Sequence, residues 1–134
     1  MRKLLLGCLL LMGIGASAQN LPTRDIVYKD WQMLGESNDH IDVSARIAKC
    51  GNNAAQVHLF IFNESTSNQT TKFSIEITNL ADGKKFTKEV TYATERAKIY
   101  KALCDSDAAM NVLKITLPSG YDPSNLEIDI AFKN

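Results

Sequence analysis

The feature that most constrains the fold is a period-two alternation of apolar and polar side chains. In the segment 41–47, apolar residues occupy every second position and alternate with Asp42, Ser44 and Arg46. Successive side chains of a strand point to opposite faces, so this spacing produces one apolar and one polar face. The same period recurs later in the chain, in 73–77, 113–117 and 126–132. We therefore expect a protein built from β-strands.

Two further segments indicate how these strands are arranged. Both faces of the segment 56–63 carry apolar side chains, which predicts a strand in the centre of its sheet. The dipeptide Asp82-Gly83 favours a tight hairpin turn, after which 86–92 runs back along the preceding strand. Neighbouring strands are therefore expected to be antiparallel.

The segment 93–104 fits two structures. Its alanines and Tyr100 recur at helical spacing, whereas Ile99, Lys101 and Leu103 alternate as in a strand. In a chain of strands, tertiary context usually overrides local propensity. We expect a turn at 94–96 followed by a strand at 98–104.

Turn signals separate these segments at intervals of roughly ten residues, which favours an all-β, antiparallel two-sheet sandwich of about 7–8 strands. Three motifs follow one another, with a polar connection after the first: Val57-x-Leu59-x-Ile61-x-Asn63, Phe73-x-Ile75-x-Ile77 and Asp82-Gly83. This succession resembles bacterial immunoglobulin-like or fibronectin-III-like modules. The resemblance implies an immunoglobulin-like sandwich, and such folds host many unrelated functions.

The start of the chain has the three parts of a secretory signal peptide. Arg2 and Lys3 form the charged beginning, an uncharged leucine-rich run follows, and Ala16-Ser17-Ala18 supplies the small residues that signal peptidase accepts. We expect cleavage after Ala18. The product would be exported, and so periplasmic or secreted.

This interpretation divides the chain into a signal at 1–18, a flexible leader at 19–25 and one domain at 26–134. The apolar run is too short to span a membrane comfortably. The alternative is a lipobox, Leu5-Leu6-Gly7-Cys8, in which Cys8 would be acylated. Its position disfavours lipidation, because cleavage there would leave apolar residues 9–14 on the mature protein.

Charge argues against one class of partner. The chain holds 15 basic and 15 acidic residues, and the loss of Arg2 and Lys3 leaves the mature protein slightly acidic. A nucleic-acid or anionic-lipid surface normally needs a strong basic excess. We therefore expect no nucleic-acid partner.

Two cysteines remain after the signal is removed, Cys50 and Cys104. In an oxidising compartment, one structural disulfide is the economical interpretation. Closing a loop of roughly 55 residues would stabilise the fold by about 4 kcal/mol in the chain-entropy model. Two unpaired buried thiols, or redox or metal chemistry, are the alternatives.

Catalytic and metal signatures are missing from the sequence. The two histidines, His40 and His58, have no partners at zinc-ligand spacing, and no serine sits in a nucleophile elbow. We expect His58 to be a structural residue. An enzyme would have to use carboxylates, and the close pairs are Asp39 with Asp42 and Asp105 with Asp107. We predict no cofactor, no metal and no catalytic residue.

Three aromatic residues, Trp31, Tyr28 and Tyr121, fall near strand ends or loops, where a flat ring can contact a glycan or a protein. The alternative for Trp31 is that it closes one end of the core. The favoured function is a non-catalytic binding or accessory domain of the cell envelope or extracellular medium, with a protein or glycan partner. An inhibitor or immunity-type protein of an exported hydrolase, and a small carboxylate-based hydrolase, are the alternatives.

Overall fold

The computed structural model describes residues 24–133 of the chain. They form eight strands and one short 3₁₀ helix, Ala108–Leu113. The strands are β1 (Ile26–Glu36), β2 (Ile41–Lys49), β3 (Gln56–Asn63), β4 (Gln69–Asn79), β5 (Lys85–Thr94), β6 (Ile99–Lys101), β7 (Lys114–Thr116) and β8 (Leu126–Phe132). The predicted signal peptide with Cys8, and residues 19–23 of the predicted leader, lie outside the described residues.

The strands make two antiparallel sheets that face each other. The five-stranded sheet has the order β1-β2-β3-β6, with β7 also paired to β3, and the three-stranded sheet has the order β5-β4-β8. The predicted two-sheet antiparallel sandwich is confirmed. The central position predicted for 56–63 is also confirmed, because β3 pairs with β2 on one side and with β6 and β7 on the other.

The core lies between the sheets and is built by the alternation described above. The β2–β3 register pairs Ile47 with Val57 and Ala45 with Leu59, so the apolar positions of both strands point inward. The three-stranded sheet contributes its own alternating positions. The fully buried core side chains include Ile41, Val43, Ile47, Val57, Leu59, Ile61, Phe73, Ile75, Ile77 and Leu113.

The ambiguous segment 93–104 contains a strand, as predicted, but a short one. β5 continues to Thr94, the chain turns with Ala97 in the left-handed region (φ 57°), and β6 spans three residues. The Ala102 N–H still donates to the Leu59 carbonyl at 3.0 Å, after which the chain leaves the sheet. The sequence did not predict the 3₁₀ helix that follows.

Two predicted connections are present. Gly83 lies in the β4–β5 hairpin with φ 73°, a conformation that glycine adopts without strain. The disulfide joins Cys50, just after β2, to Cys104, just after β6, with Cα atoms 5.4 Å apart. Within residues 24–133, no helix has the length and apolar character needed to cross a membrane.

Candidate functional site

A groove at one end of the sandwich brings together two of the predicted contact residues. Tyr28 from β1 and Tyr121 from the β7–β8 loop line the same groove, whose volume is about 470 Å³. Both rings are half-buried, and Tyr121 packs edge-to-face on Phe86 with centroids 5.5 Å apart. The two residues are far apart in sequence, so this end groove is a product of the fold.

The walls of the end groove are fixed by hydrogen bonds from buried or constrained groups. Asn79 is 1% exposed; its amide donates to the Gly120 carbonyl at 3.3 Å and its Oδ1 accepts from the Asp122 N–H at 3.2 Å. Beside the lining residue Asn52, the Gly51 N–H donates to Asp25 Oδ1 at 3.0 Å. The end groove is therefore preformed, which reduces the entropy cost of binding a ligand.

The rest of the lining of the end groove is polar and exposed. Asn53 and Ser119 are exposed, and their side chains form no hydrogen bond within residues 24–133; Lys49 is half-buried. Tyrosine rings beside amide, hydroxyl and ammonium groups can combine flat apolar contact with hydrogen bonding. This combination suits a ligand that has both apolar faces and hydroxyl groups.

The third predicted contact residue, Trp31, lies elsewhere, on the solvent side of the five-stranded sheet. Its ring packs edge-to-face on Phe60 with centroids 5.9 Å apart. Arg46 Cζ and Lys101 Nζ lie 5.3 and 5.4 Å from the centre of the indole ring. The β3–β7 register places Lys114 on the same side, opposite His58. We call these five residues, Trp31, Arg46, Phe60, Lys101 and Lys114, the cation–aromatic face.

No carboxylate of the described part of the chain forms an ion pair with the cations of this face. Arg46, Lys101 and Lys114 form none of the ion pairs found among residues 24–133. Glu36 and Asp42, on the same side of the sheet, are paired in register at the other end of the strands, next to Glu64. Asp25 lies near enough to His58 to raise its pKa weakly, but it forms no ion pair with these cations. Asp42 lies four residues from Arg46 along β2, about 13 Å away, where solvent screens the attraction strongly.

His58 lies on this side of β3, yet it is fully buried. Arg46 donates from Nε and Nη2 to His58 Nδ1, at 3.3 and 3.2 Å. Because arginine has only donors, Nδ1 must accept, and the ring proton is on Nε2, 3.0 Å from Gln56 Oε1. Burial, followed by the charges of Arg46 and Lys114, lowers the pKa of His58 to about 4. The ring is neutral at neutral pH and holds Arg46 in place.

Among residues 24–133, two groups of possible metal ligands have their atoms within 4.8 Å of one another: Cys50, His58 and Cys104, and Glu36, Asp42 and Glu64. In the first group, the two sulfurs are bonded to each other and His58 Nε2 carries a proton. Neither a thiolate nor an imidazole lone pair therefore faces the centre.

The carboxylate group has a different character. Glu36 accepts a hydrogen bond from His40 at 2.9 Å, and this contact raises the pKa of His40. Burial and then the charge of Glu36 raise the pKa of Asp42, whose Oδ1 has no hydrogen-bond partner. Glu36 and Glu64 are exposed, as acidic surface groups usually are.

The carboxylates singled out in the sequence differ in their exposure. Asp39, Asp105 and Asp107 are exposed in connecting segments, whereas Asp42 is half-buried on β2. The neighbours of Asp42 are Glu36 and Glu64, which the sequence did not indicate.

Sequence reasoning missed Arg46, Phe60, Lys101 and Lys114 as parts of one surface. Period-two alternation does place Arg46 on the outward side of β2, which is a usable signal. The convergence of Trp31 from β1 and Lys101 from β6 depends on strand order and register, which no local pattern encodes.

No protein-family model, curated protein or solved structure matches this chain significantly.

Proposed function

We propose that this chain is an exported, non-catalytic binding domain of the cell envelope or the extracellular medium, and that the end groove between Tyr28 and Tyr121 holds a glycan. The observation that supports this most is the convergence of two half-buried tyrosines in one groove of about 470 Å³. Grooves of about 300–1,000 Å³ are typical of small-ligand sites.

The chemistry of the lining favours a sugar over an apolar ligand. A tyrosine ring can pack on the C–H face of a pyranose, while Asn53 and Ser119 remain free to hydrogen-bond its hydroxyl groups. Lys49 adds a positive charge for a carboxylated or otherwise anionic sugar. The anchored walls keep these groups in position before binding.

The test is a glycan array probed with the purified protein, followed by calorimetric titration of each saccharide that binds. The double variant Asn53→Ala with Ser119→Ala loses two hydrogen-bonding side chains without touching the core, and we expect roughly tenfold weaker binding. The matched control is Asn38→Ala, an exposed asparagine outside this groove. It should bind within about twofold of the original protein.

The ring contribution is tested separately with Tyr28→Leu, after a melting curve has confirmed that the variant is folded. We expect at least a tenfold loss, because a stacked ring contact is removed. Failure of the protein to bind any saccharide, or equal weakening by Asn38→Ala, would overturn the proposal.

A further inference from the structure

The cation–aromatic face is a second surface, separate from the end groove, and its three cations form no ion pair within residues 24–133. We propose that this face docks an acidic polypeptide segment of a partner protein, with Arg46, Lys101 and Lys114 receiving its carboxylates around Trp31 and Phe60. The inference goes beyond the glycan site, and it uses none of the residues that line the end groove.

Charge complementarity is the first argument. The three cations lie together on one side of a sheet, and none has a carboxylate within ion-pair distance among residues 24–133. On the solvent side of the other sheet, the pattern is different: Lys85 pairs with Glu76, and Lys133 pairs with Glu89. Lys72, on the same side of that sheet, forms no ion pair among residues 24–133, so the two faces differ in degree: two outward lysines are paired there, whereas none of the three cations of the cation–aromatic face is.

The second argument is that the binding groups are already ordered. Arg46 is held by His58 and by the indole of Trp31, and Lys101 lies over the same indole. Ordered long side chains lose less entropy when they bind. Tryptophan and arginine are also the residue types that contribute most to protein–protein binding energy.

The residues around the face favour a polypeptide over a saccharide. Met33 and Ile99 lie beside it, paired in register with Ser44 and Phe62, and are 56% and 52% exposed. Exposed apolar side chains flanking a charged centre match a segment that carries both acidic and apolar residues. Ser44 is in register with Phe60 and Lys101, and its hydroxyl is the neutral hydrogen-bonding group among these three side chains. A single hydroxyl offers few hydrogen bonds to a saccharide.

Trp31 provides a direct measurement, because it is the single tryptophan of the chain. Its fluorescence can be followed while poly-L-glutamate is added to the purified protein, with poly-L-lysine as the opposite-charge control. We expect saturable binding of poly-L-glutamate that weakens with salt, a change in Trp31 emission and no response to poly-L-lysine.

Two double variants with the same change in net charge locate the binding. Lys101→Gln with Lys114→Gln removes two cations of the face, and we expect roughly tenfold weaker binding of poly-L-glutamate. Lys85→Gln with Lys133→Gln removes two cations of the other sheet and should change the affinity by less than about twofold. Asn53→Ala with Ser119→Ala, in the end groove, should have no effect, which separates this inference from the glycan proposal.

Three results would overturn the inference. The first is the absence of poly-L-glutamate binding, and the second is equal weakening by both lysine double variants, which would indicate diffuse attraction to the whole protein. The third is binding of dextran sulfate or anionic phospholipid vesicles in preference to poly-L-glutamate, which would assign the face to another class of anion.

Discussion

The solvent sides of the two sheets differ although both begin from the same alternating pattern. On the three-stranded sheet, the outward residues of β4 and β5 are hydroxyl-bearing and charged side chains except for Ala93, with ion pairs such as Lys85 to Glu76 at 2.8 Å. On the five-stranded sheet, the outward positions of β2 and β3 include Arg46, His58 and Phe60, all partly or fully buried. On one side, charged side chains pair with one another, and on the other, cations pack on aromatic rings.

The width of the sheet explains the difference. In the five-stranded sheet, the outward residues of β2 and β3 have strands on both sides, so Trp31 can lie over them from β1 and Lys101 can approach from β6. The disulfide also lies beside His58, with Cys50 Sγ 3.8 Å from Nε2. In the three-stranded sheet, only β4 has two neighbours, and its outward side chains, from exposed Lys72 to buried Thr78, all carry a hydroxyl or a charge. The comparison predicts that substitutions affect the two sides unequally.

The largest difference should come from the cross-link, which belongs to the five-stranded sheet alone. Replacing Cys50 and Cys104 by serine removes a bridge across 54 positions of sequence. The free energy of unfolding should fall by about 4 kcal/mol, because the unfolded chain regains loop entropy. Guanidinium unfolding measures the loss, and hydrogen exchange should show faster opening at β6 than at β4. A loss below about 1 kcal/mol would contradict this expectation.

The second-largest expected effect is a loss of stability at low pH. The pKa of His58 is about 4 in the fold, against an ordinary value of 6.5, so protonation favours the unfolded chain. The contribution of His58 to stability is complete above pH 6.5 and is lost as the pH falls toward 4, by at most about 3 kcal/mol. Arg46 and Lys114 oppose its protonation, whereas Asp25 weakly favours it.

Urea unfolding across this pH range, compared with His58→Gln, isolates the effect. The difference in stability between the original protein and the variant should shrink as the pH falls. His40→Gln is the control, because His40 is exposed and Glu36 raises its pKa. The stabilisation that His40 provides therefore grows as the pH falls, which is opposite to the trend for His58. A pH-independent difference for His58→Gln would show that the buried ring is not excluded from protonation.

The smallest expected difference is in the free energy of unfolding when one cation is removed from each side. Arg46→Ala leaves the buried His58 Nδ1 without a donor and removes the cation–π contact with Trp31, so we expect a loss of about 2 kcal/mol. Lys133→Ala removes an exposed ion pair with Glu89 and should cost less than about 1 kcal/mol. Equal losses in urea unfolding would mean that the two sides do not differ energetically.

Much of the framework follows from local patterns. The apolar alternation of 41–47 and 73–77 predicted buried strand faces, the two apolar faces of 56–63 predicted the central strand, and Asp82-Gly83 predicted the hairpin, all as found. The pairing of Cys50 with Cys104 also followed from their number. The strand at 98–104 was predicted too long, because the chain is drawn away from the sheet after Ala102.

What the sequence determined by itself is the period of each strand and therefore which side chains face the core, since side-chain direction in a strand is a local property. Only the tertiary structure decided which outward residues meet. The end groove needs β1 and the β7–β8 loop at one end, and the cation–aromatic face needs β1, β2, β3, β6 and β7 in register. Contacts between residues far apart in sequence depend on strand order, and strand order is set by the packing of the whole chain.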